Sequence, residues 1–177
     1  RFEQQLVALK SMLQSGIKGN TIFNQIKEFS VKSPFQFSEL VSFTKQLTAF
    51  QVPYNELFDT TKRLADLSAG LGVDMSRIIL AYGQVRSASY LRGQELRQFT
   101  EAGVPILQLL ADKFSQLEQR VVSVGDVFDY VSKRKVPFEM VKEVIQDMTN
   151  EGGIFYKMQE RQAETLRGRI TNLADAY

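Results

Sequence analysis

Apolar side chains recur every three or four residues along nearly the whole chain, and the strict alternation of a half-buried strand is hard to find. Phe37, Leu40, Phe43, Leu47 and Phe50 fall on one face of a helix over residues 37–50. Ser38 is placed to cap its start, with Glu39 near the positive end of the helix dipole. A second helix is expected from Tyr54 to about Leu71, burying Leu57, Phe58, Leu64 and Leu67 and stopping at Gly70 and Gly72. Asp74 reads as the N-cap of a third, which buries Met75, Ile78, Ile79, Tyr82 and Val85.

"GQELRQFTEAGVPILQLLADKF", residues 93–114, reads as helix, hard turn and helix. Leu96 and Phe99 pack from the first arm. Gly103 takes the left-handed conformation that ends it, and Pro105 suits the first turn of the next. Ile106, Leu107, Leu110 and Phe114 then return to the core. Two more helices are expected around 124–134 (Val127, Phe128, Val131) and 138–150 (Phe138, Val141, Ile145, Met148). Pro137 lies between them, and Gly152 and Gly153 close the second.

The ends have a narrower rhythm. Phe2, Leu6, Leu9 and Leu13 are spaced 4, 3 and 4 apart, as are Leu166, Ile170, Leu173 and Tyr177, which suggests coiled-coil-like seams. The expected fold is therefore all-α: a compact multi-helix domain of short helices joined by tight turns, with longer coiled-coil-like helices at both ends. A single helical domain is expected over 1–177, divided into a helical lead-in (1–30), a globular core (31–155) and an exit helix (156–177). A chain that opens at Arg1 without a methionine, already in helical rhythm, reads as a segment of a longer helical protein.

Composition narrows the chemistry. Cysteine and histidine are both absent, which removes disulfides, thiolate metal sites and the commonest general base. No apolar run approaches the length of a membrane span. The 22 basic and 20 acidic side chains balance too closely for net charge to point to a polyanion. Lys133, Arg134 and Lys135, with Lys157, Arg161, Arg167 and Arg169, form the only candidate nucleic-acid patches. Asp126, Asp129, Glu139, Glu143, Asp147, Glu160 and Glu164 interleave with them, as on an ordinary solvated surface. The 124–148 helix pair imitates a helix-turn-helix, but Pro137, Phe138 and Glu139 make a poor reading tip.

An enzyme reading, as a glycosidase acting on cell-wall polymer, would need paired carboxylates. Glu95 and Glu101 are the best placed, yet a separation of six puts them on different faces of one helix, so they read as solvated carboxylates. "AGLGVD" and "EGGIF" lack the strand-to-helix setting of a phosphate loop. Asp59, Asp66 and Asp74 are too scattered for a cation site. No catalytic, cofactor or metal residue is assigned. The 13 phenylalanines and 6 tyrosines, with Phe35, Phe37, Phe43 and Phe50 close together, fit either an aromatic core or a partner-binding face.

Three stretches carry a family resemblance: "FSVKSPFQFSELVSFTKQLTAFQVP" (29–53), "TTKRLADLSAGLGVDMSRIILAYGQVRSASYLRGQELRQFTEAGVPILQLLA" (60–111) and "FEMVKEVIQDMTNEGGIFYKMQERQAETLRGRITNL" (138–173). In this order they resemble the globular region of phage tail tape measure proteins. The most specific parts are "LAYGQVR", "LRGQELRQFTEAGVPIL" and "EGGIFYKMQERQAETLRGRITNL". They mark Gln84, Arg86, Gly93, Gln94, Glu95, Phe99, Gly103, Pro105, Gly152, Gly153 and Phe155 as motif or structural positions.

The resemblance implies a non-enzymatic structural protein of a phage or prophage tail. Such proteins set tail length while tube subunits polymerise around them, and are displaced as DNA leaves. It implies residence in the virion tail lumen after assembly in the host cytoplasm. The implied partners are tube subunits, tail assembly chaperones or an initiation complex, with self-association through the end helices. A muralytic hydrolase aiding entry, or a basic helical module touching DNA in the tail, are the alternatives.

Overall fold

Interruptions of the hydrophobic pattern become helix ends. A computed structural model describes residues 2–176, with side-chain surroundings as far as Arg167. The order begins α1 (Phe2–Leu13), α2 (Gly16–Ser30), α3 (Phe37–Ala49), α4 (Tyr54–Leu71) and α5 (Met75–Ala88). It continues α6 (Gly93–Glu101), α7 (Ile106–Glu118), α8 (Val124–Ser132), α9 (Phe138–Thr149) and α10 (Met158–Ala176). The fold is all-α. The sole pairing outside helices among the described residues is a bridge between Tyr90 and Pro137, where the Leu91 amide donates to the Val136 carbonyl at 2.8 Å.

α4 lies at the centre and touches α2, α3, α5, α9 and α10. Leu57, Leu64, Ala65 and Leu67 are fully buried on it, and Phe58 packs half-buried against the Phe29 ring. One continuous apolar core runs from Leu9 on α1 to Met148 on α9. α5 buries all five of its expected core residues, and the Asp74 carboxylate caps it by accepting from the Ser76 amide at 2.9 Å. α9 likewise buries Phe138, Val141, Ile145 and Met148.

Several expectations shift. The N-cap of α3 is Gln36 rather than Ser38, and Glu39 reaches back to accept from the Gln36 amide at 3.0 Å. Helix α4 is ended by Gly72 alone, at φ +67; Gly70 is still helical. On α8, Val127 and Val131 draw the core face. Phe128, one position round the helix, is left 53% exposed, while Tyr130 packs edge-on against Phe114.

The N-terminal seam is used inside the chain. Gln14 breaks the lead-in at φ +53, Ser15 caps α2, and α1 folds back on α2 and α3. Leu9 is fully buried, and the Phe2, Phe23 and Phe37 rings meet edge-on with centroids 5.2–6.4 Å apart. A helical hairpin docked on the core therefore replaces the expected coiled-coil-like arm. At the other end, Leu166 is 53% exposed, and Ile170, Leu173 and Tyr177 fall outside the described side chains.

Gly103 sits at φ +92, a conformation that a β-branched residue reaches only with strain. Gly103→Val is expected to lower stability by more than about 1 kcal/mol, read as a lower melting temperature by circular dichroism. An unchanged melt would remove the turn assignment.

Candidate functional site

The motif positions separate into three places on the fold. The first is the corner between α6 and α7. Leu96 and Phe99 anchor α6 in the core, and the Val104 amide donates back to the Phe99 carbonyl at 2.9 Å as the chain turns through Gly103. Pro105 is the N-cap of α7, one position before the first turn in which it was expected. Gly93 and Gln94 are exposed at the start of α6.

Glu95 is not a solvated carboxylate. It is fully buried, and Arg92 grips both of its oxygens, Nε to Oε1 at 2.9 Å and Nη2 to Oε2 at 3.0 Å. Such a two-point ion pair is geometrically stringent and occupies the groups that a general acid would need free. Glu101 is exposed on another face, so the two carboxylates do not converge.

The second place is the turn after α9. Asn150 is the C-cap, and Gly152 follows at φ +87. A side chain at Gly153 would run into the carbonyl oxygens of Asp147 and Met148, so close backbone approach requires glycine there. The Phe155 amide donates to the Met148 carbonyl at 2.9 Å, and its ring lies on Gly70 of α4, where any Cβ would collide with it. Gly70 is thus a seat for Phe155, not a helix stop. Pro105, Gly152 and Gly153 also line one apolar groove of about 340 Å³ with Leu109 and Met148, so the fold unites two motifs far apart in sequence.

The third place is the end of α5. Gln84 is half-buried and its carbonyl oxygen, like that of Gln98, has no hydrogen-bond partner among the described residues. Arg86 donates from Nη2 to the Gln51 carbonyl at 2.9 Å and lies 5.5 Å over the Phe138 ring.

Pattern reading missed the root of α10. Asp66 is 3% exposed and accepts from the Gln159 amide at 3.1 Å, acting from α4 on the first turn of α10. The fully buried Gln159 side chain donates to the Lys62 carbonyl at 3.0 Å and accepts from the Ser33 hydroxyl at 2.7 Å. Only the tertiary fold brings α10, α4 and the segment before α3 together, and no local spacing announces it. Arg63 performs a similar task for α9, donating to Asn150 Oδ1 at 2.7 Å and Thr149 Oγ1 at 3.0 Å near the negative end of that helix.

The basic clusters are dispersed. Lys133 pairs with Asp129 at 3.0 Å, Arg134 covers the Tyr90 ring, Lys157 the Tyr156 ring, and Arg167 donates to the Val31 carbonyl at 3.1 Å. The Arg169 side chain is outside those described. Asp59 pairs with Arg63 at 2.7 Å, while Asp66 and Asp74 serve α10 and α5. Among the described residues no group of three acidic, His or Cys side chains is arranged to hold a metal, and no helix is long and apolar enough to cross a membrane.

Burial pushes the Asp66 carboxyl up to about 6, against the Gln159 hydrogen bonds and Lys62, which favour its charge. Between the ordinary value of 3.8 and about 6, the folded chain keeps a proton that the unfolded chain has lost. This group's contribution to stability therefore falls as pH rises through that window, by about 3 kcal/mol in all. Asp66→Asn keeps an acceptor for the Gln159 amide without the charge. Its melting temperature is expected to exceed that of the parent by several degrees at pH 7.5 and to match it near pH 3.5. A pH-independent difference would contradict the burial argument.

A family model described as tape measure protein matches residues 2–177. No curated protein and no solved structure matches the chain. With an all-helical fold and the family match over nearly its full length, the chain belongs to the tape measure protein family, structural proteins of the phage tail.

Proposed function

We propose that this chain is a folded assembly module of a tail tape measure protein, one that helps to set tail length, organises growth of the tail tube and is displaced during DNA ejection. The observation that carries the reading is the family match across residues 2–177 on helices that turn back on one another. As one straight helix, 177 residues would extend roughly 265 Å at 1.5 Å per residue. The turns at Gln14, Gly72 and Gly103 and the breaks at Pro137 and Gly152 forbid that. A folded body measures little length, so its contribution is recognition: docking to an initiation complex, to tail assembly chaperones or to tube subunits. In this reading residues 1–177 act as one helical unit, residues 156–177 lead out of it, and its station is the tail lumen after assembly in the host cytoplasm.

The tryptic peptide QFTEAGVPILQLLADK, residues 98–113, tests the placement by mass spectrometry of purified tails. It is expected in intact particles and depleted after ejection. Abundance in the lysate with absence from particles would make the chain an assembly factor and overturn a lumen role.

A further inference from the structure

The ends of α3 and α5 meet the start of α9 around an open cleft of about 620 Å³, within the roughly 300–1,000 Å³ range of small-ligand sites. Two of its lining residues, Phe50 and Phe138, are aromatic and held in place. The Phe50 ring occupies the place a Cβ on Gly83 would need, and Phe138 is buried with its ring edge-on to Tyr82 at 5.3 Å. The Phe138 amide donates to the Ser89 carbonyl at 2.9 Å, which ties the α9 wall to the end of α5.

Arg86 projects into this setting already oriented, held by the Gln51 carbonyl on one side and the Phe138 ring on the other. A guanidinium has five N–H donors, and this one has a single hydrogen bond among the described residues. It takes part in none of the ion pairs found among them, whereas Arg63, Arg92 and Arg120 each hold a carboxylate. Ser87 and Ser89, both exposed, add two hydroxyls to the rim. A planar fork flanked by hydroxyls and by the apolar lining of Ala49, Phe50 and Pro137 matches a carboxylate attached to an apolar group. Glu139 sets a limit. Its exposed carboxylate also lines the cleft and opposes a run of negative charges, which disfavours nucleic acid and acidic tracts relative to a single anion.

We propose that this cleft binds the free C-terminal carboxylate of a partner protein, Arg86 taking the carboxylate and the apolar lining of Ala49, Phe50 and Pro137 taking the partner's last apolar side chain. The proposal rests on the docking role argued above and names the chemistry of one docking site. The fixed guanidinium lowers the ordering cost of binding, since little side-chain freedom remains to be lost.

The probe is a hexapeptide library randomised at its last three positions, made as free acids and as C-terminal amides, with binding to the whole chain read by fluorescence anisotropy. The best free acid is expected to bind at least about tenfold tighter than its amide. Arg86→Gln should erase that difference, Arg86→Lys should retain part of it, and Glu139→Gln should tighten the free acid several-fold. Should Arg86→Gln fail to fold, the paired surface changes Ser87→Ala and Ser89→Gly serve instead, with weaker acid binding at a melting temperature no lower than the parent's, since Ser89 sits at φ +72 where glycine is favoured. Equal affinity for acid and amide, equal affinity for internal acidic peptides, indifference to Arg86→Gln in a folded variant, or no binder in the library would each overturn the proposal. None of these outcomes bears on tail incorporation, which the peptide from residues 98–113 reads independently.

Discussion

A helix enclosed by five others must satisfy its polar atoms within the protein, and α4 is in that position. Leaving one such atom without a partner costs about 1–3 kcal/mol, so its polar residues dictate what surrounds them. Thr61 returns its hydroxyl to the Leu57 carbonyl at 2.8 Å and meets Thr44 of α3 at 3.3 Å. Ser68 bonds to the Leu64 carbonyl at 2.7 Å. Arg63 closes the end of α9, Lys142 of α9 reaches Glu56, and Asp66 holds the first turn of α10. The helices around α4 are thus positioned by specific bonds as well as by apolar area.

Close approach is the second constraint. Phe50 lies against Gly83 and Phe155 against Gly70, each ring filling space where another residue would carry a side chain. These contacts bring α3 onto α5 and the start of the exit segment onto α4. Together with the left-handed turn at Gly103, they let so many short helices pack closely around one core. Aromatic residues act chiefly as edge-on core contacts, with Phe128 a clear exception. Of the two uses open to them, a core explains most.

In the proposed reading, a folded body of this kind serves recognition and contributes little measured length. Many of its surface charges are occupied: Lys113 bridges Glu143 and Asp147 at 3.3 and 3.0 Å, and of the two basic clusters Lys133, Arg134, Lys157 and Arg167 meet an acid, a ring or a carbonyl. Among the described residues the positive charges are interleaved with acidic ones, an arrangement that weakens attraction for a run of phosphates. Such a surface suits protein contacts, where one well-held group can decide specificity.

Local order was legible in the chain because it depends on local physics. The 3.6-residue rhythm, Asp74 as a cap, Pro137 as a break and Gly72 and Gly103 as left-handed turns each act within a few residues of themselves, and α4 and α5 lie where that rhythm puts them. Family membership was legible too, since three ordered motifs need no coordinates. Tertiary structure alone decided what faces what. It buried Glu95 against Arg92, made Gly70 a seat for Phe155, folded the Phe2–Leu13 seam onto its own core, and joined Asp66 to Gln159 across the chain. It also left Arg86 lining an open cleft between three helices. Partners so distant in sequence leave no periodic trace, because a carboxylate or glycine looks the same in a sequence whether water or a buried neighbour meets it.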